Sequence, residues 1–275
     1  MIAGIRRLPA SILPIGAIVL CCLSLAAGDA LLKWSSAALS LWQIFLCRSI
    51  LVILTLVATR LWAKSPASWL PRSPGWTGIR SALLVGMWVT YYAALPHIQL
   101  SVAAAVLYTT PLVITLISGM LGSDSVTGRS WVVVAAGFLG VLLIVKPDTS
   151  EFNSYQLLPL LSSCLYALAM VLTRVHLKDE STTVLTLWLN LGFVLVAAAF
   201  SLGFLLWPAE ASSPNGFLTK QWQPLHLREI LIMVALAMTF LTGNLLAAYA
   251  YQRGPAPTIA VYDYTYLVFA TMFGV

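Results

Sequence analysis

Very few side chains in this sequence can carry charge inside its long apolar runs, and those few define the chemistry open to it. Asp263 stands in AVYDYTYLVFATMFGV, the stretch 260–275, between Tyr262 and Tyr264 and close to Tyr266. Asp29 stands in GDALLKW and Arg48 in FLCRS. A charge at the centre of a bilayer costs about 2.5–3.5 kcal/mol on insertion scales, so such residues must face a cavity or a partner. Asp263 is the seventh residue of its run, about 9 Å along a helix at 1.5 Å per residue. At that depth a short carboxylate can bind a cationic group or carry a proton. Alternatively it caps a helix break or pairs with an arginine. Asp29 either serves the same site or pairs locally with Lys33, four residues on. The guanidinium of Arg48 can take a carboxylate through two parallel hydrogen bonds. It can equally tie helices together by pairing with Asp29 or another acid.

Aromatic residues accompany these charges. Trp88, Tyr91 and Tyr92 lie in one run, Tyr108 in the next, Tyr166 further on, and Tyr262, Tyr264 and Tyr266 around Asp263. Tyrosines at mid-depth differ from an interfacial aromatic belt. Their apolar faces and hydroxyls suit amphipathic or cationic ligands, and helix packing is the alternative use. Asn244 can donate to a solute or across helices. Pro111 removes one helical hydrogen bond and frees the carbonyl of Leu107, which Thr109 and Thr110 can re-satisfy; a gating kink or a static bend follows. Gly137 and Gly140 allow close helix packing. The four cysteines (Cys21, Cys22, Cys47, Cys164) all sit in apolar runs without metal spacing, and the three histidines are far apart. No metal site and no cofactor are expected. No ATP-binding motif is present, which excludes ATP-driven pumping by this chain alone.

The elements that must position these residues are membrane helices. Of 275 residues, 60% are hydrophobic and 9% charged, against roughly 25% charged in a soluble domain. Such a chain cannot furnish a water-facing surface, so lipid is its solvent. The net charge of +6 falls in short gaps between apolar runs, where topology accounts for it better than nucleic-acid binding. Nine spans are predicted, near 12–34, 40–62, 78–96, 100–121, 130–146, 155–175, 183–206, 229–250 and 257–275. The gaps hold Pro66, Pro71, Pro74, Pro147, Pro208, Pro214, Gly254, Pro255 and Pro257. With the N-terminus in the cytoplasm, ten basic residues fall inside (Arg6, Arg7, Arg60, Lys64, Arg72, Arg80, Arg129, Arg174, Lys178, Arg253) and four outside (Lys33, Lys146, Lys220, Arg228). The positive-inside rule therefore puts the N-terminus inside.

The chain also repeats itself. Shifted by 155 residues, AVLYTTPLVITLISGM (105–120) lies over AVYDYTYLVFATMFGV with six of sixteen positions identical. Tyr108 and Asp263 become equivalent. Because the first unit holds five spans, the second starts on the opposite side of the membrane. That is an inverted repeat, the plan of many secondary transporters. The expected division is 1–148 for the first repeat and 149–275 for the second. Nothing after Val275 matches the roughly 26 residues that follow Met120 in the first repeat, so a tenth helix is expected beyond this sequence.

With these features the sequence resembles the drug/metabolite transporter superfamily, specifically the EamA type. The resemblance rests on FLCRS in span 2, YYAALPHIQLSVAAAVLYTTPL through spans 3 and 4, GFLGVLLIVKP in span 5 and GDALLKW in span 1. It covers essentially the whole chain. There are departures: LGSD, with Asp124, stands where the family has Leu-Gly-Glu, and Tyr266 stands where a proline is frequent in span 9. The resemblance implies an all-α membrane protein of ten-helix design, with a central cavity between two inverted five-helix repeats. That cavity would be lined by spans 1, 3, 4, 6, 8 and 9, and would work by alternating access.

The expected function is secondary transport of a small organic metabolite, an amino acid or related amphipathic solute, with export favoured. The setting is a bacterial inner membrane, with lipid as surroundings and a monomer as a fitting state. Proton-coupled uptake of a larger metabolite, such as a vitamin or nucleoside-like solute, is the alternative, with Asp263 as proton site. A non-transporting receptor or assembly subunit is a second alternative. A membrane-embedded enzyme would need clustered acids, histidines or a metal site, and the nine acids and three histidines are scattered.

Overall fold

A computed structural model describes residues 12–36, 39–63, 68–94, 97–98, 100–122, 126–145, 154–206, 218 and 222–273. Lys64, Asp124, Lys146, Lys220 and the N-terminal Arg6 and Arg7 lie outside the described residues, as does the side chain of Lys33. Every long element among the described residues is a helix: α1 Ile12–Ser36, α2 Leu41–Trp62, α3 Pro74–Ala94, α4 Leu100–Leu107, α5 Thr110–Leu121, α6 Gly128–Val145, α7 Leu157–His176, α8 Thr182–Leu206, α9 Leu227–Arg253, α10 Ala256–Asp263 and α11 Thr265–Phe273. Each of the nine predicted spans finds its helix within a few residues. Spans 4 and 9 are each broken in two. Six stretches are long and apolar enough to cross a membrane by length and composition: Ile12–Leu32, Leu41–Trp62, Val102–Leu121, Ser154–His176, Thr182–Phe204 and Leu227–Arg253. Gly128–Leu143 is a shorter apolar one. The protein is an all-α membrane protein.

Helices form here because lipid offers no partner for a bare peptide group, and a helix satisfies its own backbone. The helices are apolar around much of their circumference, and their outward residues are large aliphatics. Leu54 is 58% exposed, Leu195 71% and Leu143 74%, as suits side chains that meet acyl tails. Hydroxyls within helices turn back onto their own carbonyls: Thr55 donates to Leu51, Thr90 to Gly86 and Thr173 to Ala169. That pattern hides the donor without needing water.

Packing follows small residues. α1 lies against α9, where a Cβ on Gly28 would come within 2.9 Å of Thr239 Oγ1 and one on Gly243 within 3.0 Å of Leu25. Such contacts let two backbones approach closely, which drives association where lipid is as apolar as leucine. α3 lies against α7, α2 against α8, α1 against α10 and α11, and α7 against α4 and α5. These pairings are unchanged when α1, α2, α3 and α4–α5 are exchanged with α7, α8, α9 and α10–α11.

Both breaks fall within the apolar depth. α4 ends at Leu107 and α5 begins at Thr110; α10 ends at Asp263 and α11 begins at Thr265. Thr109 and Tyr264, the turn residues, are 155 residues apart, which is the offset of the sequence match. The bend expected at Pro111 lies ahead of it, at Tyr108–Thr109. Pro111 itself sits in the first turn of α5, where a missing N–H leaves no partner unmet.

Candidate functional site

The broken helices meet in the interior of the bundle, α10 against α5; Tyr108, Tyr262, Asp263 and Tyr266 lie at or beside their breaks, whereas Arg48, Trp88 and Asn244 sit on α2, α3 and α9. In span 4, Thr110 Oγ1 donates at 2.6 Å to the carbonyl of Leu107, the last residue of α4. Thr109 Oγ1 donates to the Val106 carbonyl at 2.7 Å, and the Thr109 and Ser163 hydroxyls lie 3.0 Å apart, tying the break to α7. In span 9, Thr265 Oγ1 donates to the Tyr262 carbonyl at 2.7 Å. The thiol of Cys22 on α1 reaches the Asp263 carbonyl at 3.7 Å and that of Tyr262 at 3.9 Å. Tyr264 OH donates to the Val134 carbonyl on α6 at 3.3 Å. Its ring occupies the space above Gly137, where an added Cβ would collide with Tyr264 Cε2. The close packing expected of Gly137 is thus specific to the span 9 break, whereas a Cβ on Gly140 would meet nothing within 4 Å.

Two carboxylates flank the breaks, each held by a tyrosine from another helix. Tyr251 OH on α9 donates to Asp263 Oδ2 at 2.5 Å. Tyr266 OH on α11 donates to Asp29 Oδ2 on α1 at 2.5 Å. An arginine partner for Asp263, one of the alternatives read from the sequence, is not found among the described residues. A neutral hydroxyl takes its place. Around them the rings interleave: Tyr108 lies 6.3 Å from Tyr264 and 6.0 Å from Tyr266, and Tyr166 meets Tyr251 edge-on at 6.4 Å. Trp88 stacks on Tyr92 at 5.5 Å, with Tyr91 edge-on to Tyr92. Tyr262 packs at the margin of the same core. Asn244 Nδ2 donates to the Phe240 carbonyl of its own helix.

Arg48 does not pair with Asp29. Its guanidinium lies 3.5 Å from the ring centre of Phe240 and 5.0 Å from those of Phe45 and Phe193. Those rings stabilise a cation through their faces. The residue is only 7% exposed, and its Nε and Nη2 have no hydrogen-bond partner. Asp29, Arg48, Trp88 and Tyr92 line one small cavity of about 20 Å³ with Gly28 and Thr239. That is space for about one water.

Sequence reasoning missed several residues. Arg80, counted above as a cytoplasmic loop charge, is 2% exposed within α3, and its Nε donates to Thr173 Oγ1 on α7 at 2.8 Å. Without it the charge bias is nine against four, with the same sign. At the same end of the bundle Glu180 Oε2 accepts the backbone N–H of Arg72 at 2.7 Å. Gln252 Nε2 spans the Leu177 and Glu180 carbonyls at 2.6 and 2.7 Å, and Arg174 Nη1 donates to the Gln252 carbonyl at 3.0 Å. At the opposite end Trp42 Nε1 donates to the Leu218 carbonyl and Gln43 Nε2 to that of Gln223, both at 2.7 Å. Each end of the bundle is thus latched by polar side chains. The short Glu180 loop, LKDEST, carried a turn signal that points to a helix cap, but nothing in the sequence names α3 as its partner.

Residues 12–146 match the EamA-like transporter family. Over these residues the chain is similar to the EamA-like transporter family. Curated relatives carry transporter names. A riboflavin transporter of Rhizobium johnstonii is 32% identical over 111 residues, 40% of this chain and 36% of that protein. The pseudopaline exporter CntI of Pseudomonas aeruginosa is 26% identical over 198 residues, 72% of this chain and 63% of that protein. An S-adenosylmethionine uptake transporter of Rickettsia prowazekii is 23% identical over 103 residues, 38% of this chain and 35% of that protein. The chain therefore spans between about a third and two thirds of the length of these relatives. A crystal structure aligns over 96% of this chain and 86% of its own, with TM-score 0.72 at 18% identity, which establishes a shared fold. The family groups the chain with transporters and not with enzymes.

Proposed function

We propose that this chain acts in secondary transport of a small organic solute by alternating access, within two inverted repeats that divide near residue 148. The observation that carries this reading is the pair of broken helices 155 residues apart. Irregular backbone at membrane depth is tolerated where protein or a solute path surrounds it, and discontinuous helices form midplane binding sites in secondary transporters. The latches at the two ends, around Glu180 and Gln252 and around Trp42 and Gln43, are the gates that open in turn. The tyrosines at 91, 92, 108, 166, 262 and 266, with Trp88, Asp263 and Asn244, line the path. They suit an amino acid or related amphipathic solute, and the exporter name carried by the Pseudomonas relative supports outward movement. The membrane is the bacterial inner membrane, with the N-terminus in the cytoplasm.

The experiment is flux of radiolabelled amino acids in proteoliposomes of the full-length protein, with and without a pH gradient. Counterflow of at least one of them, lost when either latch is cross-linked, is the expected result. Absence of flux for all of them and for riboflavin would overturn the transport reading. Proton-coupled uptake of a vitamin-like solute is the second reading. Asp263 favours it, a carboxylate whose described side-chain partner is a neutral hydroxyl, and riboflavin transporters are among the relatives. Under it, Asp263→Asn removes the dependence of flux on the pH gradient.

A further inference from the structure

The cavity between α1, α2, α3 and α9 pairs two opposite charges that do not pair with each other. Arg48 is almost wholly buried, yet Nε and Nη2 are without partners. Those two nitrogens form one edge of the guanidinium, and their spacing matches the two oxygens of a carboxylate. The faces of the guanidinium are already engaged by Phe240, Phe45 and Phe193, which fixes its plane, and the Nε–Nη2 edge is unpartnered and closed to water in this conformation. Asp29 lines the same cavity. One of its oxygens takes Tyr266 OH, so the carboxylate is oriented from α11, and Arg48 acts on it across the cavity without a hydrogen bond between them. An arginine that served only to hold helices together would have its donors filled, because a buried unmade hydrogen bond is costly and most for a charged group.

We infer that Asp29 and Arg48 form a head-group subsite for a zwitterionic α-amino acid, with Arg48 Nε and Nη2 taking its carboxylate and Asp29 its ammonium. This rests on the transport reading and names the class of solute. Charges of opposite sign on one carbon fit two opposite charges facing a single small space. The flat rings of Trp88 and Tyr92 on the cavity wall leave the solute's side chain an apolar, aromatic surface. At about 20 Å³ the space holds about one water in this conformation. The head group therefore enters as α1 and α9 part at the Gly28–Thr239 contact. Thr239, with its hydroxyl turned to the Leu236 carbonyl, then lies at the rim.

The test uses the full-length protein in nanodiscs and equilibrium binding of the proteinogenic amino acids, read by scintillation proximity and by tryptophan fluorescence. For each binder, the amine lacking the carboxylate and the acid lacking the amine are titrated alongside, phenethylamine and 3-phenylpropionate for phenylalanine. The expected result is at least one binder whose two single-charge analogues each bind at least tenfold more weakly. Arg48→Gln should abolish the preference over the amine, and Asp29→Asn the preference over the acid. No binder, or an analogue within threefold of its parent, overturns the inference. The wild-type analogue series decides the matter even where Arg48→Gln fails to fold. Flux of riboflavin in proteoliposomes without amino-acid binding would defeat this subsite and leave the transport reading standing. No flux of any solute would defeat that reading instead.

Discussion

Spans 4 and 9 break at equivalent places by different means. Span 4 contains a proline, and the carbonyls of Val106 and Leu107 before its break accept the hydroxyls of Thr109 and Thr110. Span 9 has Tyr266 at the place that Pro111 holds in span 4, yet it breaks all the same. There the Tyr262 and Asp263 carbonyls are met by Thr265 and by the thiol of Cys22 from α1. The Tyr264 ring is also wedged over Gly137. The carbonyls of the first break are thus met by hydroxyls of their own span, and those of the second partly by a neighbouring helix. The side chain at the shared position differs as well: a tyrosine, Tyr108, in span 4 and a carboxylate, Asp263, in span 9. The two breaks thus share the 155-residue offset in backbone and differ in side chain.

The dependence of span 9 on its neighbours is the easiest part to break. Gly137→Leu drives a side chain into Tyr264, and overpacking of this kind costs about 1–3 kcal/mol. Thermal unfolding in detergent should fall by several degrees, while Gly140→Leu, with open space above it, should leave the midpoint within about a degree, surface-like changes costing under ~0.5 kcal/mol. Next comes the asymmetry of the shared position. Tyr251→Phe removes the donor to Asp263 and is expected to cost about 1–3 kcal/mol if the carboxyl stays buried. Tyr108→Phe, at the matching place, should cost under ~0.5 kcal/mol, because no described side-chain hydrogen bond rests on its hydroxyl. Denaturant titration of both variants compares them directly, and equal losses would contradict the assignment.

The carbonyl acceptors give a smaller contrast. Thr110→Val strands the Leu107 carbonyl and should cost about 1 kcal/mol. Thr265→Val should cost about half as much, since membrane hydrogen bonds average ~0.6 kcal/mol and Cys22 also reaches the Tyr262 carbonyl. Hydrogen exchange at the two turns reads this difference locally. Smallest of all is Pro111→Ala. A first-turn proline lacks a donor that had no partner, so the break at Tyr108–Thr109 should persist and stability should move by less than ~0.5 kcal/mol. A straightened span 4 in that variant, seen in a structure, would show that the proline and not the threonine pair makes the bend.

Much of this architecture was legible in the sequence. Apolar run length located the nine helical spans, because a bilayer fixes how many residues a helix needs. The 155-residue match placed Tyr108 opposite Asp263, and the structure breaks both helices there. The threonines beside Pro111 were readable because their reach to a freed carbonyl is local. What could not be read was anything set by the facing of one helix on another. Tyr251 as partner of Asp263, Tyr266 as partner of Asp29 and the three phenylalanines around Arg48 all depend on rotation about helix axes. Apolar sequence specifies that rotation poorly when most faces are hydrophobic. Arg80 misled for a related reason. Charge near a helix start reads as loop, but a long side chain can bury its stem and bond inward.

The claim that both breaks face one solute path, opened to each side in turn, has a direct measurement. In full-length protein with Cys21, Cys22, Cys47 and Cys164 replaced by alanine or serine, single cysteines are placed at position 108 or 263 in oriented vesicles. Their labelling by a membrane-impermeant methanethiosulfonate is then followed from each side, with and without solute. The account predicts that both positions label from both sides and that one solute protects both. Labelling from one side only, or protection at one position without the other, would contradict it.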